Sequence, residues 1–266
     1  MTGGATPIDV AIVNWNTAEA AVEAAGAFLA STGVEPAVTI VDNHSAEADR
    51  RSLEEELPAG VALDLADSNL GYGRAANRAL LGGTAEMVCV SNADVLPEPT
   101  ALAELAAVAA ANPTAGMVGP ALEGDDDIYH AELPGRIALL GQILVGSFMR
   151  RPVPSPPPGV VREAGQPSGA CFLMRRDTWE RLGGFDDEFF LWFEDVDLAK
   201  RLQEAGFRNL LVGSARVGHT AARSFSQLDR PTMQSIRGPS LRRYIEKHHR
   251  RLAPLAAPLF RISGNG

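Results

Sequence analysis

The sequence predicts an α/β protein in which helices cover both faces of a mostly parallel sheet. Two observations predict it. Through the first hundred or so residues, short apolar runs rich in β-branched side chains alternate with longer helix-forming stretches, the pattern of strands buried on both faces. The apolar runs also end, one after another, on Asn or Asp, where the carboxyl ends of parallel strands would line one crevice.

The first strand is expected at 8–13, and Asn14, Trp15 and Asn16 end it. Residues 18–30 are good helix formers anchored by Val22, Phe28 and Leu29. A second strand at 38–41 closes on Asp42 and Asn43, and a helix over 46–57 follows. The third strand, 61–65, runs on to Asp67 and Asn69, ahead of a third helix at 73–81. The fourth, 87–90, leads into Ser91, Asn92, Ala93 and Asp94. Pro97 suits the first turn of a helix over 97–111, because its missing N–H has no partner to lose there.

A strand at 115–118 leads to an acidic turn at 123–127 and an apolar, glycine-containing stretch at 135–148. Residues 150–165 contain Pro-Ser-Pro-Pro-Pro, a composition at odds with a regular sheet or helix, and read as an active-site flap or a loop. Another strand is expected at 169–175 and a short helix at 176–182. A helix starting near Glu194 runs through Glu204 until Gly206 stops it. The last strand is placed at 207–212, with His219 beyond its end.

Composition narrows the function. At 45% hydrophobic and 21% charged, the chain is ordinary globular material, and its formal charge of −9 argues against a nucleic-acid binder. Its two cysteines, Cys89 and Cys171, sit in apolar runs and read as reduced core residues of a cytosolic protein. The start shows no signal-peptide pattern. No run reaches the roughly 18 apolar residues of a membrane span; residues 137–148 come nearest and Gln142 interrupts them. From Ser240 to Arg251 there are five Lys/Arg, two His and one Glu. That segment reads as an interfacial amphipathic helix, a partner helix or, by default, a solvated one.

The stretch 169–198 concentrates the chemistry. Asp186, Asp187, Glu188, Glu194, Asp195 and Asp197 are threaded with Phe185, Phe189, Phe190, Trp192 and Phe193. Carboxylates among bulky apolar residues are costly unless paired, protonated or bound to a cation. Their plainer reading is the acidic first turn of a helix above core aromatics. A nicotinamide-dinucleotide site fits poorly: Asn-Trp-Asn-Thr follows the first strand, and Gly71-Tyr72-Gly73-Arg74-Ala75-Ala76 lacks the third glycine. Asp94, on a strand-end loop, suits Mg²⁺ or Mn²⁺ held partly by substrate phosphates. No histidine–cysteine cluster suggests zinc. Arg74 reads either as a phosphate contact or as a solvent-facing helix residue. A lone His219 is either a metal or phosphate contact or a structural residue.

Taken together, several motifs resemble those of the inverting family 2 glycosyltransferases, and within them the rhamnosyltransferase-like branch. They are Val-Asn-Trp-Asn at 13–16, Val-Asp-Asn at 41–43, Ser-Asn-Leu-Gly-Tyr-Gly at 68–73 with Asn77, and Ser-Asn-Ala-Asp at 91–94. The series closes with Gly-Gly-Phe-Asp-Asp-Glu-Phe-Phe and Phe-Glu-Asp-Val-Asp-Leu within 183–198.

The resemblance implies a GT-A fold over residues 1–223, with a nucleotide-sugar half to about 120, an acceptor and catalytic half to 223, and a basic helical extension at 224–266. It implies a nucleotide-diphospho-sugar donor, dTDP-rhamnose by the branch, and a divalent cation. Val13, Asn14, Asn16 and Asp42 would hold the nucleobase and ribose, with Asn69, Gly71, Arg74 and Asn92 near the nucleotide or its phosphates. Asp94 and His219 would contact the metal, although Asn92 stands where the family's metal motif begins with Asp. Asp195 would be the catalytic base and Glu194 its orienting neighbour. Asp186, Asp187 and Trp192 would meet the acceptor, a glycan end, a lipid-linked intermediate or a small molecule. A cytoplasmic placement, peripheral contact with the inner face of the membrane through the C-terminal segment, and a homodimer are compatible with this. Its rivals are an inert nucleotide-sugar-binding module and a nucleotidyltransferase.

Overall fold

The structure, a computed structural model, describes residues 5–124, 130–145, 151–219 and 230–256. Its first half is built as expected: β1 (Thr6–Asn14), α1 (Ala18–Leu29), β2 (Val34–Asp42), α2 (Glu47–Glu56), β3 (Ala62–Leu65), α3 (Tyr72–Leu80) and β4 (Met87–Asn92). A short β5 (Val95–Pro97) precedes α4 (Ala101–Ala111) and β6 (Ala115–Glu123). Pro97 therefore ends an edge strand and does not open the helix. It lies opposite Val217 on the next strand, and a residue without an N–H is tolerated at an edge.

The second half comprises β7 (His130–Ala131), α5 (Arg136–Val145), β8 (Pro152–Val153), β9 (Val161–Glu163), β10 (Cys171–Arg175), α6 (Arg176–Leu182), α7 (Glu194–Glu204) and β11 (Arg208–His219). Helix α8 (Arg230–His248), a single 3₁₀ turn at 250–252 and α9 (Ala253–Ala256) follow. The proline-rich tract does carry strand, contrary to the compositional expectation. Its ends pair as β8 with β7 and β9 with β11, while the consecutive prolines stay in the loop between. The last strand is longer than expected and contains His219 as its final residue. Of the acidic turn, Glu123 ends β6 and bonds Arg216, while 125–129 lie outside the described residues.

The main sheet runs β3-β2-β1-β4-β10-β6-β11-β5, with β9 on the outer side of β11. It is mixed and largely parallel: β10, β5 and β9 are the antiparallel members. Both faces are buried. Ile8, Val10 and Ile12 of β1 pack with Phe28, Ile40, Leu102 and Leu105. The alternate residues Ala11 and Val13 pack with Phe172, Trp179, Phe185, Leu198 and Leu202. That alternation places α1 and α4 on one face and α3, α6 and α7 on the other, as the period-two geometry of a strand requires. Cys89 and Cys171 are free and buried. Among the described residues, no helix is long and apolar enough to cross a membrane.

A third apolar cluster lies apart from the sheet. Leu139 of α5 and Leu241, Tyr244 and Ile245 of α8 close over Phe189, Phe193 and Val196. The second half of α8 is therefore packed against the segment between α6 and α7, and its default reading as a solvated helix does not hold. Arg243 and Lys247, which looked available to an anionic surface, are paired with Asp186, Glu188 and Asp197.

Candidate functional site

The strand order reverses between β1 and β4, and the crevice at their carboxyl ends is the expected ligand site. Register makes neighbours of residues far apart in sequence: Asn14 lies beside Asp42, and Val13 beside Val41 on one side and Asn92 on the other. Asn14 is fully buried. Its amide group serves Asp42 Oδ1 at 3.1 Å, Asp49 Oδ2 at 3.0 Å and Ser45 Oγ at 3.3 Å, while its Oδ1 accepts from Thr17. Asp42 accepts from Arg50 Nε at 2.7 Å and from the Ser45 N–H. Asn14 and Asp42 are thus a hydrogen-bonded floor joining β1, β2 and α2. Asn16 sits at the rim with φ 54° and accepts the Ala46 N–H at 2.8 Å.

A second wall comes from the turn into α3. Asn43 donates to Asn69 Oδ1 at 3.0 Å and accepts the Leu70 N–H, and Asn69 Oδ1 also accepts the Gly71 N–H. Gly71 has φ 82°, and the next amide, Tyr72 N–H, donates to the Phe190 carbonyl at 2.8 Å. A Cβ on Gly71 would overlap that carbonyl oxygen and lie 2.9 Å from Phe190 C and Cα. The glycine is therefore needed twice, for its left-handed φ and for the approach of another backbone. Arg74 turns outward, giving its Nε–H to the Asp187 carbonyl at 2.7 Å. Asp187 Oδ1 accepts from Asn77 at 2.9 Å.

Asp94, in the turn after β4, and His219, at the end of β11, meet because β5 pairs with β11 and sets Val95 opposite His219. His219 Nε2 lies 3.3 Å from Asp94 Oδ1, with both side chains 8% exposed. An imidazole and a carboxylate at a crevice mouth fit part of the donor set of Mg²⁺ or Mn²⁺, the rest coming from phosphate oxygens and water. Among the described residues no set of three or more His, Cys, Asp or Glu side chains could hold a metal ion. Among the described residues, Asp94 and His219 therefore supply only part of such a donor set. Asn92 contributes its backbone, donating to the Ala170 carbonyl at 2.8 Å.

Asp195 stands in the first turn of α7, facing the loop that enters β10. Its Oδ2 accepts from Gln166 Nε2 at 2.6 Å and from the Gly169 N–H at 3.2 Å, and its Oδ1 from the Val196 N–H at 2.8 Å. A carboxylate only accepts, so the Gln166 amide must turn its NH₂ toward Asp195. Gly169 is a hub: its N–H meets Asp195 and its carbonyl accepts the Tyr72 hydroxyl at 3.0 Å. A Cβ there would lie 2.9 Å from Asp195 Cβ. Gln166 and Gly169 had escaped the sequence reading. Gln166 follows the proline-rich tract with no periodic signal, but a glycine directly ahead of a buried strand does mark close backbone approach.

Glu194 is different. It is buried, its Oε2 has no hydrogen-bond partner among the described residues, and its Cβ packs 3.6 Å from where a Gly73 Cβ would be. Burial, with repulsion from Asp195 and then Asp197, pushes its carboxyl up to about 8. The same burial, with Glu194 nearby, raises the Tyr72 hydroxyl well above its ordinary value. A carboxyl held above its unfolded value contributes stability that is complete below the unfolded value of 4.5 and is lost as pH rises through about 8. Glu194→Gln, which keeps the shape and removes the charge, is therefore expected to gain stability over the parent as pH rises from 5 to 8.5, by a few kcal/mol at the upper end. Urea unfolding of both proteins across that range checks it, and parallel curves would refute it.

The acidic residues on either side of Glu194 and Asp195 are already engaged. Asp186 Oδ2 accepts from Lys247 Nζ at 2.6 Å. Burial raises the Asp186 carboxyl, but the Lys247 hydrogen bond, the Glu188 N–H and the Lys247 charge together outweigh it and the net shift is downward. Asp197 is fully buried and takes Arg201, Lys247 and His248, each at 2.7 Å. Burial alone would raise it, yet these partners, His248 first, bring it down to about 2. Trp192 and Phe193 have φ 65° and 69°, a left-handed pair of bulky residues. Such backbone costs on the order of 1–3 kcal/mol per residue and persists only where packing over-determines it. Trp192 is half-buried against the third apolar cluster.

Comparison with known proteins agrees with this architecture. Residues 7–238 match the model described as Glycosyltransferase like family 2. An N-acetylglucosaminyl-diphospho-decaprenol L-rhamnosyltransferase of Mycobacterium tuberculosis is 32% identical over 212 residues, 70% of this chain and 67% of that protein. GalNAc-T7, solved with UDP, GalNAc and Mn²⁺, superposes with a TM-score of 0.66 at 17% identity, over 90% of this chain and 47% of that one. The Pyrobaculum calidifontis mannosyltransferase PcManGT, with GDP-Man and Mn²⁺, gives 0.59 at 18% identity, over 95% and 68% of the two chains. With motifs, topology and family match in agreement, the chain belongs to glycosyltransferase family 2 and is a glycosyltransferase with a GT-A fold.

Proposed function

We propose that this enzyme transfers a rhamnosyl residue from dTDP-rhamnose, with inversion, to a hydroxyl of a glycan, a lipid-linked intermediate or a small molecule. The observation that supports the transfer reaction is Asp195, a half-buried carboxylate held by hydrogen bonds from Gln166 and the Gly169 N–H. The donor sugar is taken from the mycobacterial relative, whose name specifies an L-rhamnosyltransferase acting on a lipid-linked N-acetylglucosamine.

In this mechanism Val13, Asn16, Asn69, Gly71 and Asn92 line the donor cleft, over the floor of Asn14 and Asp42. Asp195 takes the proton of the acceptor hydroxyl as its oxygen attacks the anomeric carbon from the face opposite the diphosphate. The anomeric carbon–oxygen bond to the diphosphate breaks as the new one forms, and the nucleoside diphosphate leaves. Asp94 and His219 are the residues that would hold Mg²⁺ or Mn²⁺, which when bound neutralises charge on the departing diphosphate. Asp187 and Trp192 bound the acceptor side, and Asp186 supports it through Lys247. Arg74 acts from the outside, holding the Asp187 backbone. Among the described residues, Arg250 and Arg251, exposed past the end of α8, could serve a peripheral contact with an acceptor-bearing membrane.

Calorimetric titration with dTDP-rhamnose, UDP-glucose, UDP-galactose and GDP-mannose, each with Mn²⁺ and with EDTA, tests the donor. Preferential binding of dTDP-rhamnose that weakens at least tenfold in EDTA or in Asp94→Asn is the expected outcome. Preference for another donor overturns the rhamnose assignment. Equal affinity in EDTA overturns the metal assignment.

A further inference from the structure

We propose that helix α8 braces the catalytic base, and that Lys247 is the positioning residue that ties together the two ends of segment 186–197. The proposal rests on the reading of Asp195 as base. Lys247 Nζ lies 2.6 Å from Asp186 Oδ2 and 2.7 Å from Asp197 Oδ1, so one ammonium group spans the start and end of the segment that carries Glu194 and Asp195. Further tethers converge on the same segment. Ser240 Oγ donates to the Leu191 carbonyl at 2.8 Å, and Arg243 pairs with Asp186 and Glu188. Tyr244 stacks on Phe193 with ring centres 5.5 Å apart, and Lys247 stands 5.8 Å above the Phe189 ring.

This arrangement has a purpose that packing alone does not supply. The left-handed backbone at Trp192 and Phe193 turns the chain into α7 directly ahead of Glu194 and Asp195. On one side, α3 holds the segment through Tyr72 N–H to Phe190 and Asn77 to Asp187. On the other side the hold is α8 alone among the described helices that pair with Asp186 and Asp197 from outside α7. Arg201 completes the frame, joining Asp197 to the Leu182 and Gly184 carbonyls. Lys247 is 25% exposed, so its loss leaves no large void.

The test uses the full chain with Lys247→Met, Lys247→Arg and, as a control on the same helix, Arg242→Met, whose parent residue pairs one turn along with Glu246. Amide exchange in Lys247→Met is expected to quicken by about tenfold or more over 186–197 while β1 and β4 stay protected. Its kcat is expected to fall roughly ten- to hundredfold with donor affinity unchanged, since a small misplacement of a reacting group is costly. Lys247→Arg should recover most of both, and Arg242→Met should match the parent. Unchanged exchange over 186–197, or uniform loss of protection across the sheet, would overturn the brace. So would altered donor affinity with kcat intact. If the parent transfers no sugar from any donor, the functional reading fails, and the exchange measurement still rules on the brace.

Discussion

Asp195→Asn is expected to lower kcat by about 10²- to 10⁴-fold, the usual contribution of a positioned general base, while leaving donor binding intact. Asparagine keeps the volume and one acceptor oxygen, so Gln166 and the Gly169 N–H retain a partner. It has no capacity to take the acceptor proton. The residues of the proposed donor cleft are held by a separate network through Asn14, Asp42, Asn43 and Asn69, which Asp195 does not enter. Side-by-side donor titration and transfer assays check both halves. A variant within tenfold of the parent would move the base elsewhere, with Glu194 the next group to replace. Loss of donor binding in step with turnover would show instead that Asp195 supports the whole crevice.

Gly71→Ala is expected to destabilise the fold by roughly 2–5 kcal/mol. The left-handed φ of 82° contributes about 1–2 kcal/mol, and displacing the Phe190 backbone adds about 1–3 kcal/mol. Gly82→Ala separates these effects, because Gly82 has φ 77° but nothing within 4 Å of an added Cβ. It should show only the first contribution. Urea midpoints at constant m-value give the comparison, and equal losses in the two variants would mean that the loop yields without cost. Turnover should fall further in Gly71→Ala than stability requires, since Phe190 leads directly into the turn that presents Asp195.

Much of this was legible before the fold was known. The alternation of β-branched runs with helix formers located β1 to β4 and their helices, and Asn14, Asp42, Asn69 and Asn92 at the ends of those runs marked the crevice. The clustered acids at 186–197 marked the segment proposed to carry the base. The places where the reading failed share a cause. Pro97 fits a helix start by local chemistry, but an edge position on β11 suits it equally, and only the pairing partner distinguishes the two. The ends of the proline-rich tract become strands because β7 and β11 offer free edges, which composition does not reveal. A basic run such as 240–251 looks the same whether its partner is water, lipid or a buried carboxylate.

What the sequence by itself determined is the part governed by local rules. Periodicity, β-branching and turn residues act over a few positions, and they settle which segments are strands, which are helices and where polar residues collect. What only the tertiary structure decided is which of those polar residues are spent on one another. Asn14 and Asp42 became a buried floor, Asp94 and His219 became neighbours 125 positions apart through the pairing of β5 with β11, and Asp197 was drawn to about 2 by His248 and Lys247 on a helix some fifty residues downstream. Glu194 and Asp195, adjacent in sequence, were divided by their surroundings into a buried carboxyl with one oxygen unpartnered among the described residues and a carboxylate with three hydrogen bonds. Coulomb and hydrogen-bond energies depend on distance and burial in space, and the chain acquires those only when it folds.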